Sequence, residues 1–422
     1  MAELSIAEKT TRDNANWNFG VNLLDITFFT LGLSLVSRDT VMPVLVSHLT
    51  TSKFAIGLIP ALFSFSFYFP QLLVANFSER LRYKKPFTML MGGVGERGGY
   101  LLVGLSIWFF AKNSPTVALV LFFLSLAASA ICSGSATPAW FDMIAKVIPV
   151  NRRGLWSGLS HSLGALMGVI GAFFVGRILE TTEYPHNFAY LFFLTYAMLM
   201  ISFVGLALNR EPPSETVKAH KTLVQYLRQL PGVLRRDHNY LFFLLSRTTI
   251  QLGAMATGFF MVYGTERFHI DGAGVGLLTA ILVASSAVMN LLWGFVGDRF
   301  GHKIVLGCAA FAMALAALVA WFATSQTWLI FTFILVGVYA GGDGVSAFNI
   351  ILEFCAPEDR PTYIGLTNTL LAPVLTIAPL IGGWLATSVG YSGLFLTATS
   401  IAILGGLLMM LWVREPRAKG AN

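Results

Sequence analysis

Several ionisable or amide side chains lie deep inside apolar runs of this 422-residue chain, where they are costly unless they work or pair. Asp343 stands in "VYAGGDGVSAFN", about 15 residues from either end of its run, or roughly 20 Å at 1.5 Å per residue. A charge at such a depth costs about 3 kcal/mol or more unless a partner or wet cavity receives it. An acid there can take up and release a proton, or meet a cationic group. Arg247 and Gln251 are four apart on another run and share a helix face, suited to an anionic group or to an acid such as Asp343. On the first run Asn18, Asn22, Asp25, Gly32 and Asp39 trace one slowly drifting face. Asp25 falls towards one end, as a cavity or packing residue. Arg38 and Asp39 fall towards the other, as a gate or an interface marker.

The stretch "GGVGERGGY" (92–100) sets Glu96 and Arg97 about 15 Å into a third run. Neighbours on a helix diverge by about 100°, so the two do not both face lipid and each is expected to meet another helix. Gly95 and Gly99 supply a surface for close helix approach. The expected reading is a clasp within one bundle, directed to the first helix; a direct coupling role is the alternative. Ser125, Ser129 and Ser133, spaced by four, read as helix-packing surface. Asp142, nearer the run's end, is placed to pair with Arg80 or Arg82 and to gate.

The elements that hold these residues follow from composition. Hydrophobic residues make up 55% of the chain and charged residues 12%, half of what a soluble domain carries, so the solvent is lipid. Twelve apolar runs are long enough to span: 19–48, 54–77, 86–111, 115–146, 154–179, 187–209, 239–266, 272–296, 302–324, 327–355, 361–388 and 391–413. With both termini in the cytoplasm, cytoplasmic segments hold 21 of the 28 lysines and arginines, and outer segments hold 4. That asymmetry sets the orientation and accounts for the net charge of +7 without nucleic acid. An integral protein of the plasma membrane, monomeric and in contact with lipid, is expected.

The longest inter-run segment, 210–238, divides the runs six to six. It gives an N-terminal bundle over 1–209, a cytoplasmic linker with an amphipathic stretch, and a C-terminal bundle over 239–422. The halves repeat. "SKFAIGLIPA" (52–61) aligns with "DGAGVGLLTA" (271–280), and "ANFSERLRYK" (75–84) with "GFVGDRFGHK" (294–303), both at an offset of 219. Ser52 and Asp271 then meet as helix caps, and Gly57 meets Gly276. Duplicated six-helix bundles are a transporter architecture, with the site near the midplane.

The segment "GFVGDRFGHK" resembles the G-x-x-x-D-R-x-G-R-K signature of the major facilitator superfamily (MFS). Gly294, Asp298, Arg299, Gly301 and Lys303 match, and His302 stands where arginine is usual. The first-half copy is degenerate, with Glu79 and Arg80 at the acidic and basic positions. The resemblance implies an all-α fold of twelve membrane helices in two pseudo-symmetric bundles. It implies a cavity lined by helices one, four, seven and ten, and a cytoplasmic loop that latches one conformation. It implies a secondary active transporter of a small organic solute by alternating access, with proton coupling through Asp343 or Asp25 as one option.

Drug or metabolite efflux is the first alternative; a lipid flippase or a non-transporting membrane sensor is the second. The arginine in helix four and the G-P-x-x-G-G run in helix five that mark proton-coupled drug exporters are both missing, while "APLIGG" (378–383) lies in the eleventh run. No nucleotide phosphate loop G-x-x-x-x-G-K-S/T, metal-ligand spacing or paired cysteines occur, so no cofactor, metal or enzymatic activity is expected.

Overall fold

A computed structural model describes residues 13–213, 237–354 and 360–416. They form helices α1 (Ala15–Leu35), α2 (Val41–Leu49), α3 (Lys53–Glu79), α4 (Lys85–Thr88), a π-helix (Met89–Glu96), α5 (Arg97–Phe110), α6 (Pro115–Val147), α7 (Val150–Thr181) and α8 (His186–Ala207). The second half adds α9 (His238–Gly253), a 3-10 turn (Ala254–Ala256), α10 (Phe259–Phe268), α11 (Gly272–Phe300), α12 (His302–Phe322), α13 (Gln326–Phe354), α14 (Arg360–Ser388) and α15 (Gly390–Leu411). No strand occurs among the described residues. The amphipathic stretch expected in 210–238 falls on residues outside those described, from 214 to 236.

Ten of these helices are long and apolar enough to cross a membrane. The third and seventh expected spans are interrupted. Residues 85–110 pass through the π-helix, and 238–268 break at the 3-10 turn. The first run, read as continuous over 19–48, breaks as well, between Leu35 and Val41, and Arg38 and Asp39 lie in that break rather than within a helix. Large apolar side chains face outward, Leu291 at 72% exposure and Phe173 at 70%, as lipid-facing residues must.

The chain divides into two compact units. The first joins residues 1–36 to 66–223, and the second joins 37–65 to 224–422. Residues 37–65 therefore belong to the second unit, a division that differs from a single cut at the linker. In the first unit α1 packs on α7 and α8, and α5 on α6 and α8. In the second, α13 packs on α11 and α12, and α9 on α14 and α15. Asp271 caps α11, its carboxylate accepting the Gly274 N–H at 2.8 Å.

Candidate functional site

The glycine-rich third span is where the first unit gathers its charges. Gly93 and Gly99 let neighbours in: a Cβ on Gly93 would stand 2.1 Å from the Phe203 ring, and one on Gly99 2.6 Å from the Ser129 Cβ. The serine ladder of α6 thus receives this glycine face, and the Ser129 hydroxyl donates to the Glu96 carbonyl at 2.7 Å. Glu96 itself is buried, with Cys132 close enough to feel its charge.

Arg97 leaves the last turn of the π-helix and crosses to two other helices. Its Nε donates to the Leu199 carbonyl at 2.9 Å, and its Nη1 to the Gly92 carbonyl. Its Nη2 donates to Ser202 Oγ at 2.7 Å and to Asp25 Oδ1 at 3.2 Å. Ser202 donates in turn to Asp25 Oδ1 at 2.5 Å. The Phe29 and Phe203 rings flank the guanidinium, at 5.5 and 5.9 Å. The Arg97 and Asp25 side chains retain 4% and 6% exposure, so this is a sealed ion pair.

In the second unit two rungs join α9 to α13. Arg247 pairs with Asp343 through Nη1 and Oδ1. One helical turn along, the Tyr339 hydroxyl donates to Gln251 Oε1 at 3.0 Å. The charges of Asp343, Arg247 and Asp39 all act on that hydroxyl. Arg247 is 4% exposed but Asp343 is 26% exposed, so the pair is open on the acid's side. Gln251 lies three residues before the 3-10 turn, and Asp39 sits in the break between α1 and α2. The first of these, Gln251, touches Tyr339 directly, while Asp39 reaches it only through its charge. Irregular backbone at membrane depth occurs where it is buried in protein or lines a cavity. Tyr339 was not singled out in the sequence, because a tyrosine in an apolar run reads as core. Its position four residues before Asp343, on the same face, is the signal that finds it.

The remaining candidates fall elsewhere. Asn22 is fully buried and exchanges two hydrogen bonds with Asn209, at 2.5 and 3.1 Å, within the first unit. Arg38 lies over the Phe63 ring at 3.8 Å, beside Asp39. Asp142 pairs with Lys84 at 3.3 Å and Lys146 at 3.9 Å, in place of the expected Arg80 or Arg82. Of these two partners Lys84 is the more buried, at 2% exposure against 16% for Lys146, while the Asp142 side chain stays 49% exposed. At the junction that carries the signature in the second half, Asp298 and Arg299 end α11, exposed, and Lys303 lies in the first turn of α12. A Cβ on Gly294 would meet nothing, whereas Gly301 has φ 97° and a carboxylate packed against it. Arg80 follows the end of α3, exposed; the Glu79 side chain lies outside the described residues. No group of three or more metal-ligating side chains occurs among the described residues.

The ten long apolar helices, the interrupted spans and the buried charges define a polytopic membrane protein. The sequence profile of the Major Facilitator Superfamily matches residues 26–266 and 243–422, and the chain belongs to that family. Among solved structures, the fold is similar to a mutant of the nucleoside transporter NupG, with a TM-score of 0.73 and 10% identity, covering 94% of this chain and all of that one. It is also similar to the D-xylose-proton symporter, with a TM-score of 0.70 and 14% identity over 96% and 99% of the two chains. Among curated proteins, the multi-drug resistance efflux pump PmrA of Streptococcus pneumoniae is 28% identical over 140 residues, which is 33% of this chain and 35% of that protein. Multidrug resistance protein 1 of Bacillus subtilis is 27% identical over 160 residues, 37% and 40% of the two. The chain spans about a third to two fifths of the curated relatives it matches.

Proposed function

We propose that the protein is a secondary active carrier that moves a small organic solute across the plasma membrane by alternating access. Arg247, Gln251, Tyr339 and Asp343 form its solute- and coupling-site. The observation that carries this reading is the asymmetric burial of the Arg247–Asp343 pair. A sealed pair, like Arg97 with Asp25, holds a bundle together. A pair whose acid is a quarter exposed can be opened by a proton or a cationic group arriving from the exposed side. Opening it frees Asp343 while Arg247 keeps its place in the bundle. The breaks at 36–40 and 254–258 then supply joints at matching places in the two halves. The bundles over 1–209 and 239–422 are the moving bodies, joined by 210–238, with both termini in the cytoplasm. Asp25 and Arg97 belong to the framework in this reading. Export is the favoured direction, since the relatives over a third of the chain are named efflux pumps.

The test is a thermal-stability screen of purified protein against metabolites, cationic drugs and lipids at pH 5.5 and 7.5, followed by flux into vesicles. A ligand at about 100 times its dissociation constant stabilises by about 2.7 kcal/mol. Asp343→Asn is expected to abolish the pH dependence of both binding and flux while folding normally. A solute whose binding and flux are indifferent to Asp343→Asn moves the site elsewhere, and stabilisation by lipids alone supports a flippase instead.

A further inference from the structure

One constellation outside the solute site occurs twice. The tripeptide Arg210-Glu211-Pro212 follows α8, the last helix of the first half, and Arg414-Glu415-Pro416 follows α15, the last helix of the second. In the first unit, Asn18 of α1 grips the Arg210 peptide at both ends. Its Oδ1 accepts the Arg210 N–H at 2.9 Å and its Nδ2 donates to the Arg210 carbonyl at 3.1 Å. In the second unit, Asn239 of α9 grips the Arg414 peptide in the same way, at 2.7 and 2.8 Å. In each half, therefore, the first helix is pinned to the residue that leaves the last one.

The glutamates complete the pattern. Glu211, buried to 2% exposure, accepts the backbone N–H groups of Lys84 and Lys85 at 2.8 Å each. Those are the cap and first residue of α4, which opens the third span, so the carboxylate sits where a helix start favours negative charge. The Lys146 ammonium approaches the same carboxylate at 2.9 Å, and Lys85 Nζ donates to the Asn209 carbonyl at 2.8 Å. Burial holds the Lys85 ammonium below the usual lysine range, with Glu211 acting the other way. Glu415 rests on Gly301, the cap of α12: a Cβ there would stand 2.2 Å from its Oε2. Gly301 is glycine for two reasons, its φ of 97° and this carboxylate. Both glutamates thus seat where one span hands over to the next, at the end of 80–84 in one unit and at Gly301 in the other.

We propose that each asparagine–Arg-Glu-Pro set is a brace that positions the cytoplasmic loop of its own half, so that Asn18 and Asn239 control the loops without touching them. The control runs from the asparagine to the arginine peptide, through one residue of chain to the glutamate, and from its carboxylate to the loop. What the loops do in transport rests on the carrier reading above; the brace itself does not.

Hydrogen–deuterium exchange of the full chain in lipid nanodiscs tests it. Asn18→Ala is expected to raise exchange at 80–88 at least tenfold, and Asn239→Ala at 298–306 likewise, each leaving the other half's loop unchanged. Glu211→Ala should raise exchange at 80–88 directly. If Asn18→Ala fails to fold, Asn18→Asp serves, because it keeps the acceptor for the Arg210 N–H and loses the donor. Faster exchange confined to 208–213 and 413–416, with both loops unchanged, would overturn the brace. Wild-type loop protection factors, with the intrinsic pH dependence of amide exchange divided out, that are the same at pH 5.5 and 7.5 count against the coupled carrier, while the asparagine variants still decide the brace.

Discussion

Arg97→Ala is expected to destabilise the first unit by about 3–5 kcal/mol, because it strands the Asp25 carboxylate in a sealed interior. The guanidinium now gives that carboxylate its countercharge, fixes Ser202 beside it, reaches α8 through the Leu199 carbonyl, and donates within its own span to the Gly92 carbonyl of the π-helix. Alanine removes all of these, and the space left is too closed for water to replace them well. The partner experiment removes both charges. Arg97→Met combined with Asp25→Leu should regain most of the loss, since neutral replacement of a buried pair is often neutral or stabilising. Thermal unfolding followed by tryptophan fluorescence in detergent measures both. A single variant as stable as wild type would show that the pair is not sealed. A double variant that is stable yet inactive in flux would move Asp25 from the framework into coupling.

Gly57→Ala is expected to break the contact between α3 and α14 in the second unit. A Cβ on Gly57 would stand 2.1 Å from the Pro379 carbonyl oxygen and 2.9 Å from its carbon. Neither atom belongs to a side chain that can swing aside. Gly383 answers from the other helix, where a Cβ would lie 2.9 Å from Phe54 Cα and 3.0 Å from the Lys53 carbonyl. The contact is flanked by Lys53, which pairs with Glu266 at 3.5 Å and lies over the Tyr391 ring at 3.8 Å.

Overpacking of this kind costs about 1–3 kcal/mol. Its sign makes it diagnostic, because glycine to alanine inside a helix otherwise stabilises by about 1 kcal/mol. Gly20→Ala is the control: a Cβ there meets nothing within 4 Å, and the change should be neutral or stabilising. In a background without the native cysteines, the thiol of Phe54→Cys should also react at least tenfold faster with an outside maleimide once Gly57 is alanine. Equal melting temperatures for the two glycine variants, with no change in thiol reactivity, would show that α3 and α14 do not pack this closely.

The apolar runs were legible because lipid imposes a length and a composition on every span. The breaks in the first and seventh spans were not. Hydrophobicity continues through "GAMATGFF" without proline or charge, so nothing in that run marks the 3-10 turn. The first break did carry a mark, Arg38 and Asp39 side by side, which reads equally well as a gate. Pairing was legible where opposite charges had few options at the same depth, as for Arg247 with Asp343. It failed for Asp142, where four basic residues compete within one loop and burial of Lys84 selects among them. The glycines beside Glu96 announced close approach, but a π-helix leaves no separate trace in residue types. The repeated Arg-Glu-Pro went unread because it lies just past the apolar runs, at an offset of 204 rather than 219.

Those two tripeptides also put a clock on the assembly of the chain. Asn18 and Arg210 are 192 residues apart, and Asn239 and Arg414 are 175 apart. Neither grip can close until the last helix of its half has been synthesised. The first needs no residue beyond 210, and the second waits for residue 414. A ribosome stalled between them would leave a nascent chain with one half fastened and the other still open, the state in which a quality-control protease finds the most unprotected backbone.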